Sequence, residues 1–203
     1  TYYLPVPSAQ VKSCVLLAGL FAGGVTRVVE SVPSRDHTER MLPLFGAPVR
    51  VDGLESSVEG GARLSACDLI VPGDPSSAAF FAAAAALVPG SRVSLPNLTL
   101  NPTRAAFFEV LRRMGARVER LNERNSAGEP VADLEVSFSS LKSATVEGAE
   151  VPSLIDEIPV LAVVATQAQG VTRIRDAGEL RVKETDRIKA IAGNLRSMGA
   201  AVE

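Results

Sequence analysis

Residues 24–47 read "GVTRVVESVPSRDHTERMLPLFGA", and residues 170–200 read "GVTRIRDAGELRVKETDRIKAIAGNLRSMGA". Both begin with the same four letters and close on Gly-Ala. In between come a short β-branched run, a polar loop and a helix-period pattern. Upstream of each lies an apolar stretch rich in alanine and leucine, "VKSCVLLAGLFAG" at 11–23 and "EIPVLAVVATQAQ" at 157–169. A further copy, "SSAAFFAAAAALVPGSRVSLPNLTLNPTRAAFFEVLRRMGARV" at 76–118, keeps the order with different letters. One supersecondary unit therefore occurs three times.

The apolar stretches read as buried helices. Each is expected to end at a glycine, Gly24, Gly90 or Gly170, because glycine suits the left-handed residue that stops a helix. Short strands follow: "VTRVV", "SRVSL" and "VTRIR". The second helix of each copy closes at Gly46, Gly115 or Gly199, with an arginine near its start. Arg35 and Arg104 lie 11 residues before the closing glycine, and Arg187 lies 12 before it. After the first two closing glycines, "PVRVDGLESSVEGGARLSACDLIVPGD" at 48–74 and "RVERLNERNSAGEPVADLEVSF" at 117–138 alternate as hairpins do. The unit is α–β–α–β–β, which places the chain in the mixed α/β (α+β) class. "VPGDPSS" at 71–77 is the best hinge, with Asp74 or Ser76 as a helix cap. The third copy stops before its strand pair, the first lacks preceding strands, and the chain begins with Thr1. These features are expected of an internal segment of a longer protein. Alone, such a segment should melt weakly or aggregate through unpaired strand edges.

The net charge of −2 argues against a nucleic-acid binder driven by bulk charge. "AAFFAAAAALV" is too short to span a membrane, and there is no secretory signal. Cys14 and Cys67 are too few for a disulfide scaffold, and both read as core residues. A reduced, cytoplasmic setting follows. With His37 as the one histidine, cysteine–histidine catalysis and a histidine-based metal site are poor readings.

Chemistry concentrates in "RVKETDR" at 181–187, ahead of a helix whose buried face is Ile188, Ile191, Leu195 and Met198. Cations at a helix N-terminus oppose the macrodipole, so Arg181, Lys183 and Arg187 are placed for something other than helix stability. Unpaired N–H groups and cations together make an anion pocket. A solvated charged turn is the competing reading. Asp156 and Glu157 stand before the apolar helix "PVLAVVATQA", as a plain cap or as a base at the edge of a dry site. If the two helices of this copy pack side by side, Asp156, Lys183, Glu184 and Arg187 converge. In the first copy, Ser8 and Gln10 open one helix and Ser34 and Arg35 open the next; capping explains both serines.

"SAQVKS" at 8–13, "SRDHTERML" at 34–42, "VPGDPSSAAF" at 71–80, "NPTRAAF" at 101–107, "SLIDEIPVLAV" at 153–163 and "ELRVKETDRI" at 179–188 resemble the 5-enolpyruvylshikimate-3-phosphate (EPSP) synthase family. The "SAQ" and "SRDHTE" motifs resemble its bacterial class. The resemblance covers nearly the whole chain, in the family's motif order. It implies βαβαββ units of the enolpyruvyl transferase inside-out barrel, here partial. Residues 1–71 would be the C-terminal part of the first domain, and 72–203 about two units of the second.

The implied reaction moves the enolpyruvyl group of phosphoenolpyruvate to the 5-hydroxyl of shikimate 3-phosphate and releases phosphate. By the resemblance, Asp156 contacts the shikimate hydroxyls as general base. Lys183 binds near the reacting hydroxyl, Glu184 is the proton donor and Arg187 holds phosphoenolpyruvate. Ser8 binds the shikimate phosphate, Gln10 touches both substrates and Arg35 helps bind the shikimate ligand. Ala9 stands where other classes have serine, which removes one phosphate donor. No metal or organic cofactor, nucleic acid or membrane is implied, and the full-length protein is expected to be a cytoplasmic monomer. The family's early Lys-Ser and Arg motifs and its late lysine are not in this sequence, so the chain alone is not expected to turn over. The alternatives are a non-catalytic binding module of the same fold, or UDP-N-acetylglucosamine enolpyruvyl transferase. The latter needs a loop cysteine and lacks "RVKETDR". An RNA 3′-phosphate cyclase reading fails for want of a histidine in the right context.

Overall fold

The computed structural model describes residues 1–203, which form two compact units. The first comprises Thr1–Pro72 and Asn125–Pro130, the second Gly73–Arg124 and Val131–Glu203.

In the first unit, β1 (Tyr2–Tyr3) leads to α1 (Ala9–Gly19), β2 (Val25–Val29), α2 (His37–Met41), a 3-10 turn (Leu42–Phe45), β3 (Val49–Asp52) and β4 (Glu55–Glu59). The sheet order is β1-β2-β4-β3, with β1 parallel to β2 and the remaining pairs antiparallel. Leu4, Leu16, Leu20, Val28, Leu42 and Val58 form its core.

The second unit repeats the plan. It runs α3 (Pro75–Leu87), β5 (Arg92–Thr99), α4 (Ala106–Arg113), β6 (Arg117–Ser126) and β7 (Glu129–Ser137), with sheet order β5-β7-β6; the tip of the β6–β7 hairpin, Asn125–Pro130, counts with the first unit. Gly73 bridges Leu98 in parallel, in the place that β1 has beside β2. The third copy follows as β8 (Thr145–Val146), a 3-10 segment (Gly148–Glu157), α5 (Ile158–Ala165), β9 (Arg173–Ile174), a 3-10 turn (Gly178–Val182) and α6 (Arg187–Ser197). β8 and β9 pair in parallel. Phe107, Leu111, Met114, Leu134, Leu154 and Leu161 are all fully enclosed in one core.

The closing glycines are one device used three times. Gly46, Gly115 and Gly199 have φ of 86°, 94° and 89°. Their N–H groups donate to Pro43, Arg112 and Arg196, and those of Ala47, Ala116 and Ala200 donate to Leu42, Leu111 and Leu195. These paired bonds are the Schellman motif, which requires a left-handed residue at its centre.

Several expectations need correction. The first helices end at Gly19, Leu87 and Ala165, short of Gly24, Gly90 and Gly170. Those glycines serve the turn into the following strand, at φ of 78°, 77° and 96°. Burial of the first helices is one-sided. α1 encloses Lys12, Leu16 and Gly19, while Val11 and Leu17 face solvent. α3 buries all its alanines but Ala84 and exposes Phe80 and Phe81. Cys14 is exposed, because two residues from Lys12 is the opposite side of a helix with 3.6 residues per turn. Cys67 is exposed too, in an irregular run that forms no strand. Met198 is 81% exposed, since α6 has ended by then. Asp74, not Ser76, caps α3, accepting from the N–H groups of Ser76 and Ser77.

Candidate functional site

In the second unit, the start of α5 carries Asp156 and Glu157. Neither is a plain cap: Glu157 at the cap position makes no side-chain cap bond. Pro159 lies in the helix's first turn, where a missing N–H costs nothing. Glu157 is 2% exposed and accepts a hydrogen bond from the Ser76 hydroxyl at the start of α3. Asp156 instead meets α6. Arg187, the first residue of α6, places Nη1 3.4 Å from Asp156 Oδ1 and Nη2 2.7 Å from Glu184 Oε2. Arg187 is thus the hub joining the two helix starts. A guanidinium offers its planar fork to carboxylates, or equally to a phosphate.

The capping of α6 falls to Asp186, which accepts from the Lys189 N–H at 3.0 Å. Arg181 pairs with Asp186 at 3.0 Å, which offsets its unfavourable place near a helix start. Glu184 is left to Arg187. Its own backbone N–H, and then the Arg187 hydrogen bond, hold its carboxyl below the ordinary glutamate pKa. Lys183 does not join the cluster. It lies outside α6, in extended backbone, and pairs with Glu179. The expected convergence therefore brings together Asp156, Glu184 and Arg187 and leaves Lys183 to one side.

The second copy carries a related arrangement. Arg104 Nη2 reaches Asp74 Oδ1 at 2.9 Å and Ser76 Oγ at 2.7 Å, again linking the copy's second helix to the start of its first. Repeat spacing revealed this arginine in the sequence but not its partners.

In the first unit, Ser8 caps α1, accepting from the Val11 N–H at 3.3 Å and donating to Gln10 Oε1 at 3.3 Å. Ala9 is the first helical residue, and Gln10 is exposed. Ser34 and Arg35 precede α2 rather than open it, because Asp36 occupies the cap position. Ser34 donates to Glu30. Arg35 is half-buried on this loop.

Sequence reasoning missed the group beneath these residues. Lys12 is 2% exposed and lies 2.8 Å from both Glu30 Oε2 and Glu39 Oε1. Burial alone would lower its pKa, but hydrogen bonds to the two carboxylates outweigh it and raise the value above that of an ordinary lysine. The available signal was one charged residue inside the otherwise apolar "VKSCVLLAG". No group of three His, Cys, Asp or Glu side chains is placed to hold a metal ion. No helix is long and apolar enough to cross a membrane.

The profile of one family, EPSP synthase (3-phosphoshikimate 1-carboxyvinyltransferase), matches residues 1–203. The chain belongs to the EPSP synthase family. The 3-phosphoshikimate 1-carboxyvinyltransferase of Shouchella clausii is 55% identical over 202 residues, covering 100% of this chain and 47% of that protein. The protein of that name from Bacillus subtilis is 53% identical over 202 residues, with the same coverage. A solved EPSP synthase from Acinetobacter baumannii superposes with a TM-score of 0.91 at 47% identity, covering 96% of this chain and 44% of that one. The chain thus spans about half the length of the EPSP synthases it matches, and its partial mixed α/β architecture is theirs.

Proposed function

We propose that a polypeptide of the relatives' full length carrying this segment transfers the enolpyruvyl group of phosphoenolpyruvate to the 5-hydroxyl of shikimate 3-phosphate. The observation that carries the reading is the Arg187 hub, which joins Asp156 and Glu184 at two helix starts. The 5-hydroxyl oxygen attacks C2 of phosphoenolpyruvate while its proton passes to Asp156. The methylene carbon takes a proton from Glu184. The tetrahedral adduct then loses phosphate and one proton to give the enolpyruvyl ether. Each step needs a base, an acid and cations beside developing charge. In the free chain the Glu184 carboxyl is held below the ordinary glutamate pKa by its own backbone N–H and by Arg187. An incoming anion that draws away the Arg187 fork removes one of the two main contacts that lower this pKa, a change in the direction that the acid role needs.

Ser8, Gln10 and Arg35 bind the shikimate ligand in this reading; Lys183, which pairs with Glu179 in the free chain, is a substrate-binding residue in it as well. Ala9 offers no hydroxyl. The two compact units are then the C-terminal part of one domain and about two repeats of the next. The enzyme works in the cytoplasm as a monomer. The test is phosphate release with both substrates. Asp156→Asn and Glu184→Gln are each expected to lower kcat by about a hundredfold or more, as loss of acid–base catalysis does. Unchanged kcat in both variants would refute the assignment.

A further inference from the structure

Lys12 is buried between α1, the segment after β2 and α2 of the first unit. Its ammonium joins Glu30, which follows β2, to Glu39 on α2. The Ser34 hydroxyl donates to Glu30, and the Ser56 hydroxyl on β4 donates to Glu39 Oε1 at 3.2 Å. Glu39 Oε2 is buried without a hydrogen-bond partner. Alongside, the Ser13 and Thr38 hydroxyls meet at 2.6 Å and join α1 to α2 a second time. A buried cation between two buried carboxylates is a poor source of stability, because apolar residues of similar size hold a fold at least as well. What such a cluster does supply is one defined geometry.

That geometry has a specific consequence. The Lys12 N–H donates to the Ser8 carbonyl at 3.0 Å, so Lys12 lies one turn beyond Ser8 and just after Gln10. Glu30 holds Ser34, and Ser34 precedes Arg35. We propose that Lys12 is a positioning residue, setting the spacing between the start of α1 and the Arg35 loop so that both reach one shikimate 3-phosphate. The inference rests on the proposed reaction, and turnover by the unsubstituted full-length enzyme tests that reaction separately.

Lys12→Met alone strands two buried carboxylates and is expected to unfold. The deciding variant is Lys12→Met/Glu30→Gln/Glu39→Gln, which removes all three charges together in the full-length enzyme. The expected result is a folded protein whose KM for shikimate 3-phosphate rises about tenfold while kcat stays within about threefold, a split that marks lost ligand binding rather than lost chemistry. A folded triple variant with unchanged KM overturns the proposal. Should the triple variant not fold, Ser56→Ala decides, because it removes one support of Glu39 from a strand outside the α1 start and the Arg35 loop. A severalfold rise in the same KM supports positioning. An unchanged KM with a lowered melting temperature makes the cluster purely structural.

Discussion

Arg187 and Glu184 form an ion pair at the start of α6. Glu184 is exposed, so its low pKa reflects its backbone N–H and Arg187, not burial. Arg187→Met is therefore expected to raise the Glu184 pKa part of the way to an ordinary glutamate, leaving the backbone contribution. On the proposed function, phosphoenolpyruvate should do the same by drawing Arg187 away. Carbon-13 detected carboxyl titration of the labelled protein measures both, and a Glu184 curve indifferent to either change would rule out the hand-over of Arg187.

Asp74 carries a pH dependence of fixed sign. Desolvation pushes its pKa up, but the Ser77 hydroxyl, the Ser77 and Ser76 N–H groups and Arg104 together hold it below the ordinary aspartate value. A carboxyl lowered on folding contributes stability above its unfolded pKa and loses it as pH falls through the folded value. Asp74→Asn keeps a good capping residue and removes the charge. The variant is expected to be less stable than the parent at neutral pH, and the gap should close in acid. Urea unfolding across that range checks the sign; a gap that widens in acid contradicts it.

At the scale of elements, one turn of the first unit packs so closely that it needs a glycine. A Cβ on Gly60 would lie 1.8 Å from the Ala22 carbonyl oxygen and 3.0 Å from that of Gly19. The Gly60 N–H also donates to the Gly24 carbonyl at 2.9 Å. The turn after α1 and the end of β4 are thus in backbone contact, with no flexible side chain to give way. Gly60→Ala is expected to cost about 3 kcal/mol or more, in the range of the largest single-residue effects. Gly61→Ala is a useful comparison, since at φ of 82° it meets no neighbouring atom and is strained only by its backbone. Equal melting temperatures for the two variants would show that the backbone contact is not limiting.

The same scale shows what the sequence could reveal. The repeat was legible because glycine and β-branched residues recur at fixed intervals, and the three Schellman closures are its physical cause. Helix ends were less legible. Gly24, Gly90 and Gly170 mark turns some residues beyond the last helical bond, and a letter pattern does not separate the two. Asp156, Glu184 and Arg187 could be named because each lies at a helix start. The Lys12–Glu30–Glu39 cluster could not, because its members come from α1, the loop after β2 and α2 and meet only through packing. Lys183 stands apart from Arg187 in the free chain for a related reason: a spacing of four brings residues together on a helix, and Lys183 is not on one.

Over the whole molecule, much apolar surface faces water. Phe21 is 89% exposed and Tyr3 71% in the first unit. Phe80 and Phe81 are 65% and 61% exposed in the second, side by side on α3. Exposed apolar side chains of this size mark surfaces that bind something or aggregate when they adjoin. β3 is also an open sheet edge, the kind of edge on which strands from other chains can pair. The 203-residue chain by itself is therefore expected to self-associate, with a light-scattering mass above 21.3 kDa that rises with concentration. It should also bind an apolar dye under native conditions. Phe80→Ser/Phe81→Ser should reduce both effects, because the two rings are the largest exposed pair on a helix whose alanines do the packing. A polypeptide of the relatives' full length should bind less dye per chain if its remaining residues cover these faces. A monomeric 203-residue chain with no dye binding would mean that the exposed rings are tolerated as they stand.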